Sequence, residues 1–118
     1  MGYPVFPSLN QCNVKADVIV DFASPKAVDG LLAYSCRERV PVVLCTTGLS
    51  KEQLKSVEKA SEKTAILRSA NMSLGVNLLL KLVGDAARVL AGSGFDMEIV
   101  EKHHNQKVDA PSGTALAL

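Results

Sequence analysis

The residues with the greatest capacity for proton transfer lie together near the end of the sequence. His103 and His104 are the only two histidines of the chain, and Lys107 follows three positions later. One imidazole can act as an acid or base near neutral pH while the other binds an anion, and a desolvated lysine can donate a proton. The pattern predicts either such a site or a solvated basic loop. It does not match the usual zinc ligand sets, so we expect no metal.

Small polar residues follow this loop and predict the start of a helix. In the run Pro111-Ser112-Gly113-Thr114, unpaired backbone N–H groups and hydroxyls could hold a carboxylate or phosphate. Ordinary helix capping is the alternative. Asp109 could anchor the preceding turn or hold Lys107. Together, the basic loop and the helix start suit a small carboxylate ligand.

A third candidate is the run Thr46-Thr47-Gly48. Small residues at the end of a strand allow a ligand to approach the backbone closely, and two hydroxyls could bind a phosphate or a ribose. The alternative is a polar turn without a ligand.

Alternating strands and helices are expected to position these candidates. Apolar runs predict strands at residues 17–22, 41–45, 64–68 and 95–102, and periodicity with cap signals predicts helices at 24–39, 50–63, 73–90 and from 111 onward. The first two strands are expected to be buried and the fourth half-exposed. The helix at 73–90 is apolar nearly all round, which is typical of a helix enclosed in a larger body.

This order of elements implies parallel strands joined by crossover helices, and therefore an α/β fold. Ligands of such sheets bind beyond the carboxyl ends of the strands. We therefore expect residues 22–24, 45–48 and 69–72 to line one crevice.

Composition limits the classes of function. The 118 residues carry a net charge of +1, which argues against general nucleic-acid binding. No apolar run is long enough for a transmembrane helix, so we expect no membrane partner. The three cysteines, Cys12, Cys36 and Cys45, lack metal-ligand spacing and indicate free thiols in a reducing cytoplasm.

Residues 101–115 contain the pattern E-x-H-H-x-x-K-x-D-x-P-S-G-T-A. This pattern resembles the signature of the 4-hydroxy-tetrahydrodipicolinate reductase (dihydrodipicolinate reductase) family. Residues 71–77 resemble the interdomain segment of that family, and residues 21–25 and 45–48 resemble its cofactor-domain loops. The resemblance covers residues 17–118.

The resemblance implies reduction of a cyclic dicarboxylate with NADH or NADPH, in the diaminopimelate branch of lysine biosynthesis. It implies a truncated Rossmann-like parallel sheet followed by the start of an α+β substrate and tetramerisation domain. Residues 1–72 would be the C-terminal part of the dinucleotide-binding domain, and residues 73–118 the N-terminal part of the substrate-binding domain. A homo-oligomer, a tetramer when complete, is also implied.

The resemblance also assigns roles to individual residues. His103 corresponds to the catalytic acid or base, and Lys107 to the proton donor. The substrate carboxylates would be held by His104, Ser112, Gly113 and Thr114. The cofactor would contact Cys45, Thr46 and Thr47 on one loop and Ser69, Ala70, Asn71 and Met72 on a second.

Two features depart from the family pattern. Cys45 stands where the family usually has glycine, and the sequence has no G-x-G-x-x-G pyrophosphate loop. We expect the chain to be an internal fragment that is inactive alone and that self-associates through uncovered apolar surface.

Two other functions remain open. The chain could be a non-catalytic module that binds carboxylates or serves in assembly. A generic α/β nucleotide binder would explain the loops at the strand ends, but not the run from His103 to Thr114.

Overall fold

A computed structural model describes residues 2–118. The chain forms two compact units, the first reaching to Ser69 and the second spanning Ala70–Leu118. The first contains the sheet and two helices, and the second contains two further helices. Short 3-10 turns also occur at Leu9–Gln11 and Ala91–Ser93.

The first unit is a three-stranded parallel sheet with two crossover helices, and this confirms the predicted α/β fold. The strands lie side by side in the order β1-β2-β3. Along the chain the elements are β1 (Ile19–Asp21), α1 (Pro25–Glu38), β2 (Val42–Leu44), α2 (Lys51–Ser61) and β3 (Ile66–Arg68). Each element lies within one of the predicted segments.

Local signals explain where the two helices of this unit begin and end. The predicted capping box of α2 is present: the Ser50 hydroxyl accepts the Gln53 N–H at 3.1 Å, and the Gln53 side chain accepts the Ser50 N–H at 3.1 Å. Helix α1 begins at Pro25 after Ser24, although the Ser24 side chain makes no capping bond. It ends where Arg39 adopts the left-handed conformation, with φ of 55°.

The core of the first unit lies between the sheet and these helices. Its buried members come from α1, β2 and α2: Val28, Leu31, Leu32, Val42, Leu44, Val57 and Ala60. The opposite face of the sheet is open, with Val20 58% and Leu67 54% exposed. The prediction of a buried first strand was therefore wrong for the open face of β1, because the helices among the described residues cover one face of the sheet.

The second unit contains α3 (Leu74–Leu90) and the short α4 (Gly113–Ala117). Ser73 caps α3 as predicted, since its hydroxyl accepts the Val76 N–H at 3.5 Å. No residue of α3 is buried, and Leu74 is 87% exposed. The expectation that α3 is enclosed is therefore not met by the described residues.

The strand predicted at residues 95–102 is wrong. This segment has no regular secondary structure, and within residues 2–118 strand pairing is confined to β1, β2 and β3. Alternation of apolar and acidic residues favours an extended backbone, but a strand also requires a neighbour to accept its hydrogen bonds. The described residues provide no such neighbour for this segment.

Candidate functional site

The first group of predicted site residues lies at the carboxyl edge of the sheet. Asp21, Leu44 and Arg68 are in register across the three strands. The chain leaves this edge through residues 22–24, 45–48 and 69, as the parallel topology predicts. Backbone bonds continue the ladder there, from Cys45 N–H to the Asp21 carbonyl at 2.8 Å and from Ser69 N–H to the Leu44 carbonyl at 3.1 Å.

A buried carboxylate supports the loop that follows β2. The Thr46 hydroxyl donates to Asp21 Oδ2 at 2.5 Å, and the other carboxylate oxygen accepts the Ala23 N–H at 3.3 Å. Asp21 and Thr46 are 9% and 7% exposed. The Thr46 hydroxyl thus uses its one proton in the bond to Asp21, and its oxygen can only accept a further hydrogen bond. Binding of a phosphate or a ribose by the hydroxyls of Thr46 and Thr47 stays a prediction.

The rest of this loop is more open. Thr47 is half-buried and Gly48 is exposed. Gly48 adopts φ of 74°, a conformation that residues with a Cβ rarely take. Burial, followed by the negative charge of Asp21, raises the pKa of the Cys45 thiol, so Cys45 is a neutral and poorly reactive group here.

The second group, in the second unit, forms around the start of α4. Ser112 is the N-cap, and its hydroxyl accepts the Ala115 N–H at 3.0 Å. Pro111 lies outside the helix, so the prediction that it begins the helix was wrong by two residues. Ser112 is 7% exposed, whereas Gly113 and Thr114 are half-buried.

Glu101 joins His103 to this helix start. One carboxylate oxygen lies 2.7 Å from His103 Nε2, and the other accepts the Ser112 N–H at 2.8 Å. The hydrogen bond with His103, and then that from Ser112, lower the pKa of Glu101 to about 2. Glu101 is therefore ionised throughout the physiological range.

Asp109 pairs with Lys107. The ammonium donates to Asp109 Oδ1 at 2.6 Å, which confirms one of the two roles considered for Asp109. The hydrogen bond from Lys107 is the main cause that lowers the pKa of Asp109, and the Gly113 backbone contributes less. His103 and Lys107 are thus each paired with a carboxylate, and the carboxylate paired with His103 also binds the N-cap amide of α4.

Asn71 connects the start of α3 to the start of α4. Its side-chain nitrogen donates to the Thr114 hydroxyl oxygen at 3.0 Å, and its side-chain oxygen accepts the Ser73 N–H at 2.8 Å. The predicted cofactor-loop residue Asn71 and the predicted substrate residue Thr114 are therefore in direct contact. Ala70 and Met72 are exposed beside it, and Ser69 is half-buried in the first unit.

His104 faces a different partner from His103. Its Nδ1 accepts the Gln106 N–H at 3.2 Å, and its side chain is exposed. The two neighbouring imidazoles therefore have separate hydrogen-bonding environments, as two different roles require.

Two family models match consecutive parts of the chain. Residues 1–72 match the model for the N-terminus of dihydrodipicolinate reductase, and residues 75–118 match the model for its C-terminus. The chain belongs to the dihydrodipicolinate reductase family.

Curated relatives from several bacteria carry the name 4-hydroxy-tetrahydrodipicolinate reductase. The chain is 53% identical to the relative from Clostridium novyi, 52% to that from Caldanaerobacter subterraneus subsp. tengcongensis and 47% to that from Clostridium tetani, each over 118 residues. These alignments cover 100% of the chain and 46% of each relative. The chain thus spans about half the length of the curated relatives it matches.

Sequence reasoning did not select Glu101 or Asp21 as site residues. Glu101 lies two positions before His103, a spacing that places both side chains on one side of an extended backbone. Asp21 is the acidic residue that ends an otherwise apolar strand. These signals were present in the sequence, but neither identifies the partner of the carboxylate.

The described residues also bear on metal centres and membrane spans. Across residues 2–118, no three His, Cys, Asp or Glu residues are grouped as metal ligands would be. Nor does that part of the chain contain a helix with both the length and the apolar character needed to cross a membrane.

Proposed function

We propose that the full-length polypeptide carrying this chain reduces 4-hydroxy-tetrahydrodipicolinate with NADH or NADPH, in lysine and diaminopimelate biosynthesis. One observation carries the proposal: the Glu101 carboxylate joins His103 to the backbone N–H of Ser112, the N-cap of α4, while Lys107 is paired with the carboxylate of Asp109. His103 and Lys107 each bind a separate carboxylate of the chain, and two such basic groups suit a ligand that has two carboxylates of its own. The names of the relatives agree with this substrate class.

The second unit would bind the substrate. His104, Ser112, Gly113 and Thr114 would hold its carboxylates through imidazole, hydroxyl and backbone N–H groups. Lys107 would donate a proton to the reduced ring, and His103 would act as the acid or base. The half-buried ammonium of Lys107, with a side chain 22% exposed, is suited to this role because solvent screens it only partly.

The first unit would bind the nicotinamide part of the cofactor. The buried carboxylate of Asp21 places a negative charge beside the loop after β2, which fits an uncharged nicotinamide and its ribose there better than a phosphate. Cys45, Thr46, Thr47 and Ser69 of this unit would contact it. The resemblance also assigns Ala70, Asn71 and Met72, with which the second unit begins, to the cofactor. When bound, the cofactor supplies a hydride to the substrate ring.

The domain assignment follows from these roles. Residues 1–72 would belong to the dinucleotide-binding domain and residues 73–118 to the substrate-binding domain. The exposed apolar residues of α3 support a homo-oligomeric assembly of the complete protein. The three free cysteines support a reducing, cytoplasmic location.

A kinetic comparison of lysine variants tests the proposal. We would measure cofactor oxidation by the full-length wild type, Lys107→Met and the control Lys102→Met, with 4-hydroxy-tetrahydrodipicolinate and with NADH and NADPH in turn. Loss of general acid catalysis is expected to lower kcat of Lys107→Met by about 10²–10⁴-fold. Lys102 is exposed, and its variant should retain wild-type kcat.

Calorimetric titration with pyridine-2,6-dicarboxylate separates this function from its main alternative. Binding without turnover by the wild type would favour a non-catalytic carboxylate-binding module. If the wild type shows neither dicarboxylate binding nor turnover, both the reductase function and the carboxylate-binding function are refuted.

We also propose that the 118-residue chain alone has negligible reductase activity. The sequence contains no glycine-rich pyrophosphate loop, and such a loop supplies backbone N–H groups to the cofactor phosphates. Wild-type turnover by the purified 118-residue chain would contradict this.

A further inference from the structure

The carboxylate of Glu101 has two partners with different consequences. Oε1 accepts the Ser112 N–H at 2.8 Å, and Oε2 lies 2.7 Å from His103 Nε2. The Glu101 and His103 side chains are 26% and 36% exposed, so the pair is only partly shielded from water. One carboxylate thus supports the helix start and fixes one edge of the imidazole ring.

The chemistry of this contact determines where the ring carries its proton. An ionised carboxylate has acceptors and no donor, so a hydrogen bond to it requires a proton on Nε2. In the described chain, this is the hydrogen bond that the His103 ring makes. A neutral His103 therefore has its proton on Nε2 and its lone pair on Nδ1.

We propose that Glu101 is a positioning residue that holds neutral His103 in the Nε2–H form and presents Nδ1 for proton exchange with the substrate. When the imidazolium gives up its Nδ1 proton, the ring returns to the neutral form with the proton on Nε2 still bonded to Glu101. Protonation at Nδ1 reverses this step. The ionised carboxylate favours the imidazolium and the neutral Nε2–H ring over the Nδ1–H tautomer, because that tautomer would direct the Nε2 lone pair at a carboxylate oxygen of Glu101.

Substitution by glutamine separates this role from support of the helix. In Glu101→Gln, the amide oxygen can still accept the Ser112 N–H. The amide nitrogen is then directed at His103 Nε2, which must accept a hydrogen bond and lose its proton. The helix contact is kept while the ring is driven to the opposite tautomer.

Nitrogen NMR of the full-length protein, labelled with ¹⁵N-histidine, tests the tautomer directly. Spectra of wild type, Glu101→Gln and Glu98→Gln are recorded well above the titration midpoint of the ring, and a His104→Gln sample assigns the resonances. Glu98 is exposed and provides the matched control. His104 is an internal reference, because its Nδ1 accepts the Gln106 N–H and should keep its proton on Nε2 in every sample.

We expect His103 to carry its proton on Nε2 in wild type and Glu98→Gln, and to shift to the Nδ1–H form in Glu101→Gln. An Nδ1–H wild type, or a Glu101→Gln protein that retains Nε2–H, would overturn the proposal. If Glu101→Gln fails to fold, the wild-type spectrum tests the proposal by itself, because an Nδ1–H form of His103 there would overturn it.

The kinetic part of the proposal rests on the proposed reductase function. Glu101→Gln should lower kcat by about 10²–10⁴-fold, as expected when the acid–base nitrogen has the wrong tautomer, with KM for the substrate within about twofold of wild type. A raised KM with unchanged kcat would mean that Glu101 only supports the helix, and would overturn the positioning role. If the wild type shows no reductase activity but His103 is in the Nε2–H form, the proposed function fails and the tautomer assignment stands.

Discussion

Thr46 donates its hydroxyl proton to the Asp21 carboxylate across 2.5 Å, between the ends of two neighbouring parallel strands. Both residues are more than nine-tenths buried. A buried carboxylate without its donor is costly, so this pair fixes the start of the loop that we assign to the cofactor.

Removal of the Thr46 hydroxyl should therefore destabilise the protein. We expect Thr46→Val to lower the free energy of unfolding by about 1–3 kcal/mol, because Asp21 would lose its hydroxyl donor. Urea denaturation of wild type, Thr46→Val, Asp21→Asn and the double variant would measure the coupling, expected at about 0.5–3 kcal/mol. Thr47→Val is the control and should stay within about 0.5 kcal/mol of wild type. Equal effects of the two threonine substitutions would contradict the prediction.

The stability contributed by Glu101 should depend on pH. Its pKa in the folded chain is about 2, below the usual 4.5. A carboxyl group with a lowered folded pKa contributes fully above its unfolded pKa, and the contribution is lost as pH falls through the folded value. The difference in free energy of unfolding between wild type and Glu101→Gln should be largest above pH 4.5 and shrink toward pH 2.

Denaturation curves recorded across this pH range would check the prediction. Glu98→Gln serves as the control, since Glu98 is exposed and should show no such dependence. A Glu101→Gln difference that stays constant between pH 4.5 and pH 2 would argue against the ion pair.

Two serine caps in the second unit allow a matched comparison. Ser112 accepts the Ala115 N–H at 3.0 Å, and Ser73 accepts the Val76 N–H at 3.5 Å. Replacing either by alanine should lower the free energy of unfolding by about 0.5–2 kcal/mol. Only Ser112→Ala should weaken binding of pyridine-2,6-dicarboxylate in calorimetry, because Ser112 lies in the proposed carboxylate site. Equal weakening by both variants would indicate a general effect of helix stability.

The exposed apolar face of α3 should cause the 118-residue chain to self-associate. Leu74, Leu78 and Leu82 lie four positions apart on one side of the helix and are 87%, 56% and 55% exposed. Light scattering should show mass increasing with concentration in the micromolar range. Leu78→Lys combined with Leu82→Lys should reduce this increase, whereas Lys81→Gln on the same helix should not. A monomer at every concentration would refute the prediction.

Local sequence signals predicted the helices well because helix caps and helical periodicity depend on neighbours in the chain. The capping box at Ser50 and the cap at Ser73 appear as expected. The strand predicted at residues 95–102 was wrong because alternation of apolar and acidic residues describes one strand only, whereas a sheet also needs a neighbouring strand to bond with it. The open face of β1 and β3 could not be foreseen for the same reason, since burial depends on which elements pack there.

The sequence by itself determined which residue types lie near His103 and Lys107, and that a helix start follows them. Only the tertiary structure decided that Glu101 connects His103 to the Ser112 N–H and that Asp109 pairs with Lys107. The Glu101–Ser112 bond joins residues 11 positions apart, and the Thr46–Asp21 bond joins residues 25 apart. A spacing of three or four residues fixes a contact within a helix, but contacts at these larger separations depend on how the chain folds back on itself.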